Sequence, residues 1–129
     1  MDDCIFCKII ARQAPSYIVD ENDVVITFLA LENHPLVVPK RHITDIYGLD
    51  GETGSAMMTE LIKVALAVKK GCACDGVYIT QANEPAASQD VFHLHFHVYP
   101  RWSDGRQTHS TVVEDAERAL TLRKIKSAL

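Results

Sequence analysis

The chain has 129 residues, 47% of them apolar, with 13 basic and 17 acidic side chains, six histidines and four cysteines. That length predicts one domain, residues 1–129, able to bury roughly two thirds of its unfolded-state surface without disulfides. A net charge of -4 provides no general field for nucleic acid or an anionic membrane.

The N-terminus, Met1-Asp2-Asp3-Cys4, is acidic where a secretory leader needs a basic start and an apolar stretch. The longest apolar run, Val24 to Leu31, is far short of the ~20 residues that cross a bilayer. The chain therefore reads as cytoplasmic, with cysteines that are free, catalytic or metal-bound. Lys8 to Arg12 predicts a short helical turn ending before Pro15. Tyr17–Val19 and Val24–Leu29 read as a hairpin around the turn-forming Asp20-Glu21-Asn22-Asp23. Leu36–Val38 reads as a third strand stopped by Pro39. From Gly51 to Ala73 the period becomes helical, with Met58, Leu61, Ile62, Ala65 and Val68 on one face and Glu60, Lys63, Lys69 and Lys70 mostly elsewhere. Asp75-Gly76 turns into a strand at Val77–Thr80, and a polar loop over Gln81–Asp90 follows. Val91–Tyr99 is the clearest strand, closed by Pro100. Val113–Leu129 is weakly helical with a basic end suited to a helix C-terminus. Hairpins with one long helix predict an α+β fold on an antiparallel sheet.

In Val91-Phe92-His93-Leu94-His95-Phe96-His97-Val98-Tyr99, alternation puts three histidines on one face and Phe92, Leu94, Phe96 and Val98 on the core face. Along a strand, neighbouring imidazoles lie ~6.6 to 7 Å apart and the outer pair ~13 Å, too far to serve one small ion. Solvent-facing polar residues are the bland reading of such a row. A catalytic metal site is a second. Covalent catalysis, with one histidine attacking an electrophile beside a neighbour that supplies a hydrogen bond or proton, is a third.

Cys4-x-x-Cys7 has the spacing of half a tetrahedral zinc site. No strand precedes residue 4, which disfavours a thioredoxin-like redox pair. The completing ligands are sought among His34, His42, a strand histidine, His109, or Cys72 and Cys74. The last two read more readily as buried or idle thiols.

His93-Leu94-His95-Phe96-His97-Val98-Tyr99 resembles the motif that names the histidine triad (HIT) superfamily of nucleotide-binding hydrolases and transferases. Cys4-Ile5-Phe6-Cys7-Lys8-Ile9-Ile10, Leu36-Val37-Val38-Pro39-Lys40-Arg41-His42 and Gln89-Asp90-Val91-Phe92 are similar to family segments in the same order. The resemblance covers residues 4 to about 101, leaving a C-terminal extension over 102–129. It implies a five-stranded antiparallel sheet with one long and one short helix, a C-terminal helical segment, and a homodimer. It further implies a structural zinc, one per chain, on Cys4, Cys7, His42 and His93. His95 becomes the nucleophile toward the α-phosphorus of a purine nucleotide or nucleotide conjugate, and His97 contacts the phosphate under attack. The Gln89 side chain and backbone N–H groups from Ala87 to Gln89 are expected as further donors. By the same resemblance Ile5, Phe6, Ile9 and Phe28 wall the base pocket and Asn83 lies on the phosphate side. The activity implied is cleavage of the α-phosphoryl bond of nucleoside phosphoramidates or dinucleoside polyphosphates through a nucleotidyl-histidine.

Three departures bear on substrate. Ala30 follows Phe28-Leu29 where the family pattern has a ribose-gripping aspartate. The stretch from Ala30 to Leu36 is shorter than the pattern, with Glu32 as the nearby carboxylate. Ser88 replaces a glycine at a position suited to positive φ, and Asp90 replaces a serine or threonine. These departures motivate an alternative, a nucleotide-binding or scaffolding protein with little turnover.

Overall fold

The computed structural model describes residues 3–106 and 111–129. Its elements are α1 (Ile5–Ile10), β1 (Ile18–Glu21), β2 (Val25–Leu29), β3 (Pro35–Pro39), α2 (Gly51–Gly71), β4 (Gly76–Thr80), β5 (Phe96–Arg101) and α3 (Asp115–Lys126). All pairings are antiparallel, in the order β1-β2-β3-β5-β4, so the fold is α+β on a five-stranded sheet.

Both faces of the sheet are covered, and β2 shows why its residues are uniformly apolar or β-branched. Val25 and Leu29 join the larger core with Val37, Val98 and the α2 residues Leu61, Val64 and Val68. Ile26 and Phe28 face the other way, against Phe6 and Ile9 of α1 together with Leu36 and Val38. α2 starts where the Asp50 carboxylate accepts the Thr53 N–H at 3.1 Å. Its buried face is Met57, Glu60, Leu61, Val64, Ala67 and Val68, one residue out of step with the predicted stripe, and Met58 and Ile62 point to solvent. Glu60 is buried because Thr27 Oγ1 donates to its carboxyl at 3.0 Å.

Three boundaries differ from expectation for local reasons. α1 begins at Ile5 rather than Lys8, because Cys4 Sγ accepts the Cys7 N–H at 3.4 Å. β1 runs to Glu21, because Asn22 Oδ1 takes the N–H groups of both Val24 and Val25 and so forms the turn. β5 begins at Phe96 rather than Val91. Its ladder with β3 consists of Leu36↔His97 and Val37↔Phe96. Two steps further Pro39 has no N–H to offer, and Leu94 N–H turns to Ile43 O at 2.7 Å. Residues 91–95 therefore leave the sheet, and Phe92, expected in the core, is 48% exposed while Leu94 and Val98 are fully buried.

Beyond β5, Trp102 Nε1 donates to Ala73 O at 3.2 Å and its ring packs on the larger core. α3 lies against α2 and β1, and Val113 N–H donates to Leu31 O at 2.8 Å.

Candidate active site and metal centre

Leaving the ladder at residue 95 lets His93 turn toward α1. The donor atoms of Cys4, Cys7, His42 and His93 all lie within 4.8 Å of one another. His93 Nδ1 is 3.4 Å from Cys4 Sγ and 3.6 Å from Cys7 Sγ, and His42 Nδ1 is 3.3 Å from Cys7 Sγ. Zinc bonds of about 2.3 Å to sulfur and 2.0 Å to nitrogen put tetrahedral sulfur–nitrogen edges near about 3.5 Å, so these residues fit such an ion. His93 Nε2–H donates to Pro39 O at 2.8 Å, which frees Nδ1 as the ligand. Burial and the neighbouring Cys4 thiol push Cys7 up to about 11, a crowding of sulfurs that a cation relieves. His34, Cys72 and Cys74 lie outside this cluster, and Cys74 is buried in the core. His109 falls outside the described residues.

His95 is 6% exposed and has one well-defined hydrogen bond, from Nδ1–H to the backbone carbonyl of His93 at 2.7 Å. That bond fixes the tautomer and leaves the Nε2 lone pair bare. The Asp90 carboxylate lies 3.7 Å from Nε2. The Phe6 ring packs edge-on at 5.1 Å between centroids.

His97 stands 4.9 Å from His95, ring to ring. On its far side His34 Nε2 lies 2.9 Å from His97 Nδ1, and Tyr99 OH lies 3.2 Å from the same nitrogen. Burial, then the electrostatic effect of neighbouring His95, holds His97 down at about 4. Burial, then His97 and His95, holds His34 at about 3. Both rings are neutral near pH 7. His34 Nδ1 is buried without a partner, which suits a lone pair there and a proton on Nε2 that His34 donates to His97. His97 then carries its own proton on Nε2. His34, considered in sequence as a metal ligand, instead orients His97. The alternation His34, Leu36, Val38 along β3 carried this signal, since it sets His34 on the face of His97.

Both histidines open into a pocket of about 410 Å³, walled by Ile5, Phe6, Ile9, Phe28 and Leu36. Asp90, Glu32, Ala30 and, unanticipated from sequence, Arg118 of α3 also line it. Gln89 and Asn83 are placed differently from expectation. Gln89 Nε2 donates to Thr44 O at 2.7 Å and Val91 O at 3.1 Å, while its Oε1 accepts Glu84 N–H at 2.7 Å. Its amide is engaged within the loop rather than offered to a phosphate. Asn83 Oδ1 accepts Ile46 N–H at 2.8 Å, its amide pairs with Gln81, and it does not line the pocket. Ser88 has φ 75° and ψ 25°, the left-handed conformation expected where glycine is usual.

An antiparallel α+β sheet carries an imidazole nitrogen at an apolar pocket, beside a Cys₂His₂ cluster. Residues 11–104 match the HIT domain, and the chain belongs to the HIT family. A Hit-like protein from Bartonella henselae superimposes with TM-score 0.93 at 34% identity over 100% of this chain and 98% of that one. A zinc-bound histidine triad family protein from Mycobacterium smegmatis gives TM-score 0.87 at 30% identity over 98% and 93% of the two chains. The adenosine 5'-monophosphoramidase of Saccharomyces cerevisiae is 32% identical over 102 residues, 76% of this chain and 62% of its own.

Proposed function

We propose that this chain is a nucleotidyl hydrolase or transferase that cleaves the α-phosphoryl bond of nucleoside phosphoramidates or dinucleoside polyphosphates through His95. The observation that carries the reading is the His95 Nδ1–H bond to the His93 carbonyl, which leaves Nε2 as a free nucleophile at the pocket. In the first step the Nε2 lone pair forms a bond to the α-phosphorus, and the bond to the leaving group breaks, an amine departing with a proton taken from solvent. In the second, water attacks the nucleotidyl-histidine and gives up a proton to solvent, the P–N bond breaks, and its electron pair returns to Nε2. His97 Nε2–H donates to a phosphoryl oxygen as its charge develops, held in that tautomer by His34. The purine lies against Ile5, Phe6, Ile9 and Phe28. Gln89 acts by holding the Glu84–Ser88 loop, with its backbone N–H groups, beside the histidines, and Asn83 anchors the same loop to Ile46.

Cys4, Cys7, His42 and His93 would hold one structural zinc, whose bound charge ties α1 to the segment before β5. With four protein ligands no position is open for substrate. Unbridged cysteines suit a cytoplasmic setting. No helix among the described residues is long and apolar enough to cross a membrane. A homodimer is supported by Met58, Ile62 and Leu66, exposed at helical spacing on α2, and by Ile79, exposed on β4 at the edge of the sheet.

The test mixes the full chain with a nucleoside phosphoramidate, quenches, and reads intact mass. The expected result is one added nucleotidyl group on the wild type and none on His95→Ala, which stays folded. A wild type that releases no product and carries no adduct overturns the enzymatic reading. The second reading, nucleotide binding with little turnover, is favoured by the carboxylate of Asp90 beside the attacking nitrogen, and tight mononucleotide binding without an adduct would support it.

A further inference from the structure

Among the described residues, Arg118 is the one lysine or arginine side chain lining the pocket of His95, and it comes from α3, outside the residues 11–104 of the family domain. Its side chain is only 13% exposed. Nε–H donates to Val113 O at 3.1 Å, Nη2 to Asp115 Oδ1 at 2.6 Å, and the guanidinium carbon sits 5.1 Å over the Tyr17 ring. These contacts fix the plane of the group yet engage only two of the five N–H donors an arginine carries.

The order of contacts along the pocket gives Arg118 its position relative to the chemistry. The His95 ring meets Phe6 at 5.1 Å, and Phe6 meets Phe28 at 5.2 Å. The pocket then reaches Ser16 and Leu31. Tyr17, under Arg118, follows Ser16 in the chain, and Leu31 O is the acceptor that anchors Val113 at the start of α3. A nucleoside whose phosphoryl group met His95 and whose base ran along the two phenylalanines would bring its far edge toward Arg118.

We propose that Arg118 selects the base, favouring a 6-keto purine over a 6-amino purine. The inference rests on the pocket being a nucleotide site, as argued above. A planar guanidinium pairs best with two acceptors side by side, and a 6-keto purine presents O6 and N7 in that arrangement. A 6-amino purine presents N7 beside an amino group, whose hydrogens face the guanidinium donor to donor. α3 thereby adds a specificity element that the family domain does not contain.

The test is calorimetric titration of the full chain with GMP, IMP and AMP. A bidentate contact of this kind discriminates by roughly ten- to a hundredfold, so GMP and IMP should bind at least about tenfold more tightly than AMP. Arg118→Met, which keeps the apolar stem and removes the donors, should bring GMP and IMP to the affinity of AMP while leaving AMP within about twofold of wild type. Arg118→Lys, a point charge without the fork, should retain only part of the preference. Equal affinities in the wild type, or a preference for AMP, overturn the proposal while leaving the nucleotide site standing. So does an Arg118→Met variant that weakens all three ligands alike, which would limit Arg118 to the ribose or to the packing of α3. If Arg118→Met does not fold, the wild-type order and Arg118→Lys decide. Failure of all three ligands to bind overturns the nucleotide site and this inference together.

Discussion

Three histidines of one motif acquire three roles from what their second nitrogen meets. His93 gives Nε2–H to Pro39 and offers Nδ1 to the metal cluster. His95 gives Nδ1–H to the backbone and offers Nε2 to the pocket. His97 accepts His34 Nε2–H at Nδ1, with the Tyr99 hydroxyl alongside, and in the proposed reaction keeps its own proton on Nε2 for the substrate side. The loop that frames them is held under local strain. Glu84 lies at φ 74°, ψ 154°, a region almost reserved for glycine, and Gln89 restrains it through the Glu84 N–H. Ser88 follows at φ 75°, where a side chain costs about 1 kcal/mol relative to glycine. Ser88 is exposed, so Ser88→Gly removes the cost without opening a cavity. The expected outcome is a gain of about 1 kcal/mol, or roughly 3 to 5 °C in Tm by thermal melting. A variant no more stable than wild type would show that the loop relaxes around serine.

At the scale of elements, the position of α3 depends on one close approach. A Cβ added at Gly71, at the end of α2, would lie 2.4 Å from the backbone oxygen of Lys124. Neither backbone can yield as a side-chain tip can, so Gly71→Ala should destabilise the fold by about 1 to 3 kcal/mol and displace α3. Chemical denaturation measures the first, and amide exchange across Asp115–Lys126 reports the second. An unchanged exchange pattern would mean that α3 docks without this contact. The packing of α3 was not legible in the sequence, because its apolar residues are sparse and Ile125, which reaches the larger core, is joined as an anchor by backbone atoms and Arg118. By contrast α2 was legible as a helix from its side-chain periodicity, and β2 from a run of β-branched and aromatic residues beside a turn. The register of α2 was misjudged because Glu60, a charged residue, occupies the core face through its bond to Thr27. The strand of the three histidines was overextended for a related reason. Alternation continues through residues 91–95, but Pro39 on the facing strand ends the ladder. The Cys4, Cys7, His42 and His93 cluster followed from the family resemblance, whereas Tyr99 and Arg118 gave no sign in sequence because folding alone brings them to the site.

The whole molecule presents one apolar face that the fold does not cover. Met58, Ile62 and Leu66 are 52%, 55% and 66% exposed on α2, and Ile79, paired with Val98 on the α2 side of the sheet, is 41% exposed on β4. A second copy of the chain, joined along this face, would shield both surfaces and the open edge of β4. Light scattering should give twice the monomer mass, and Leu66→Glu should shift the equilibrium to monomer. A monomeric wild type at micromolar concentration would remove the dimer from the proposal.

The buried histidines also set how the molecule responds to acid. His34 is held at about 3 and His97 at about 4, while an unfolded histidine titrates near 6.5. Between these values the unfolded chain binds more protons than the folded one, so stability is complete above about pH 6.5 and falls as pH drops toward 4. A single such histidine gives a slope of up to about 1.4 kcal/mol per pH unit, and water at the pocket mouth reduces the share from His97. Asp20 and Glu21 have folded values lowered below the usual carboxylate range, so their contribution is lost only further into acid. Glu60, raised by burial and by Asp20, takes its proton earlier in the folded chain and offsets part of the loss, so the histidine share of the interval from pH 6.5 to 5 is read from the difference between two proteins that both keep Glu60. Urea midpoints across it should fall steadily for the wild type and more gently for His34→Asn, which removes one titrating ring. Comparison at equal metal loading cancels the loss of ion in acid that both proteins share. A slope unchanged by His34→Asn would mean that His34 takes up a proton without unfolding. The neutral His34 that orients His97 would then have to be abandoned along with it.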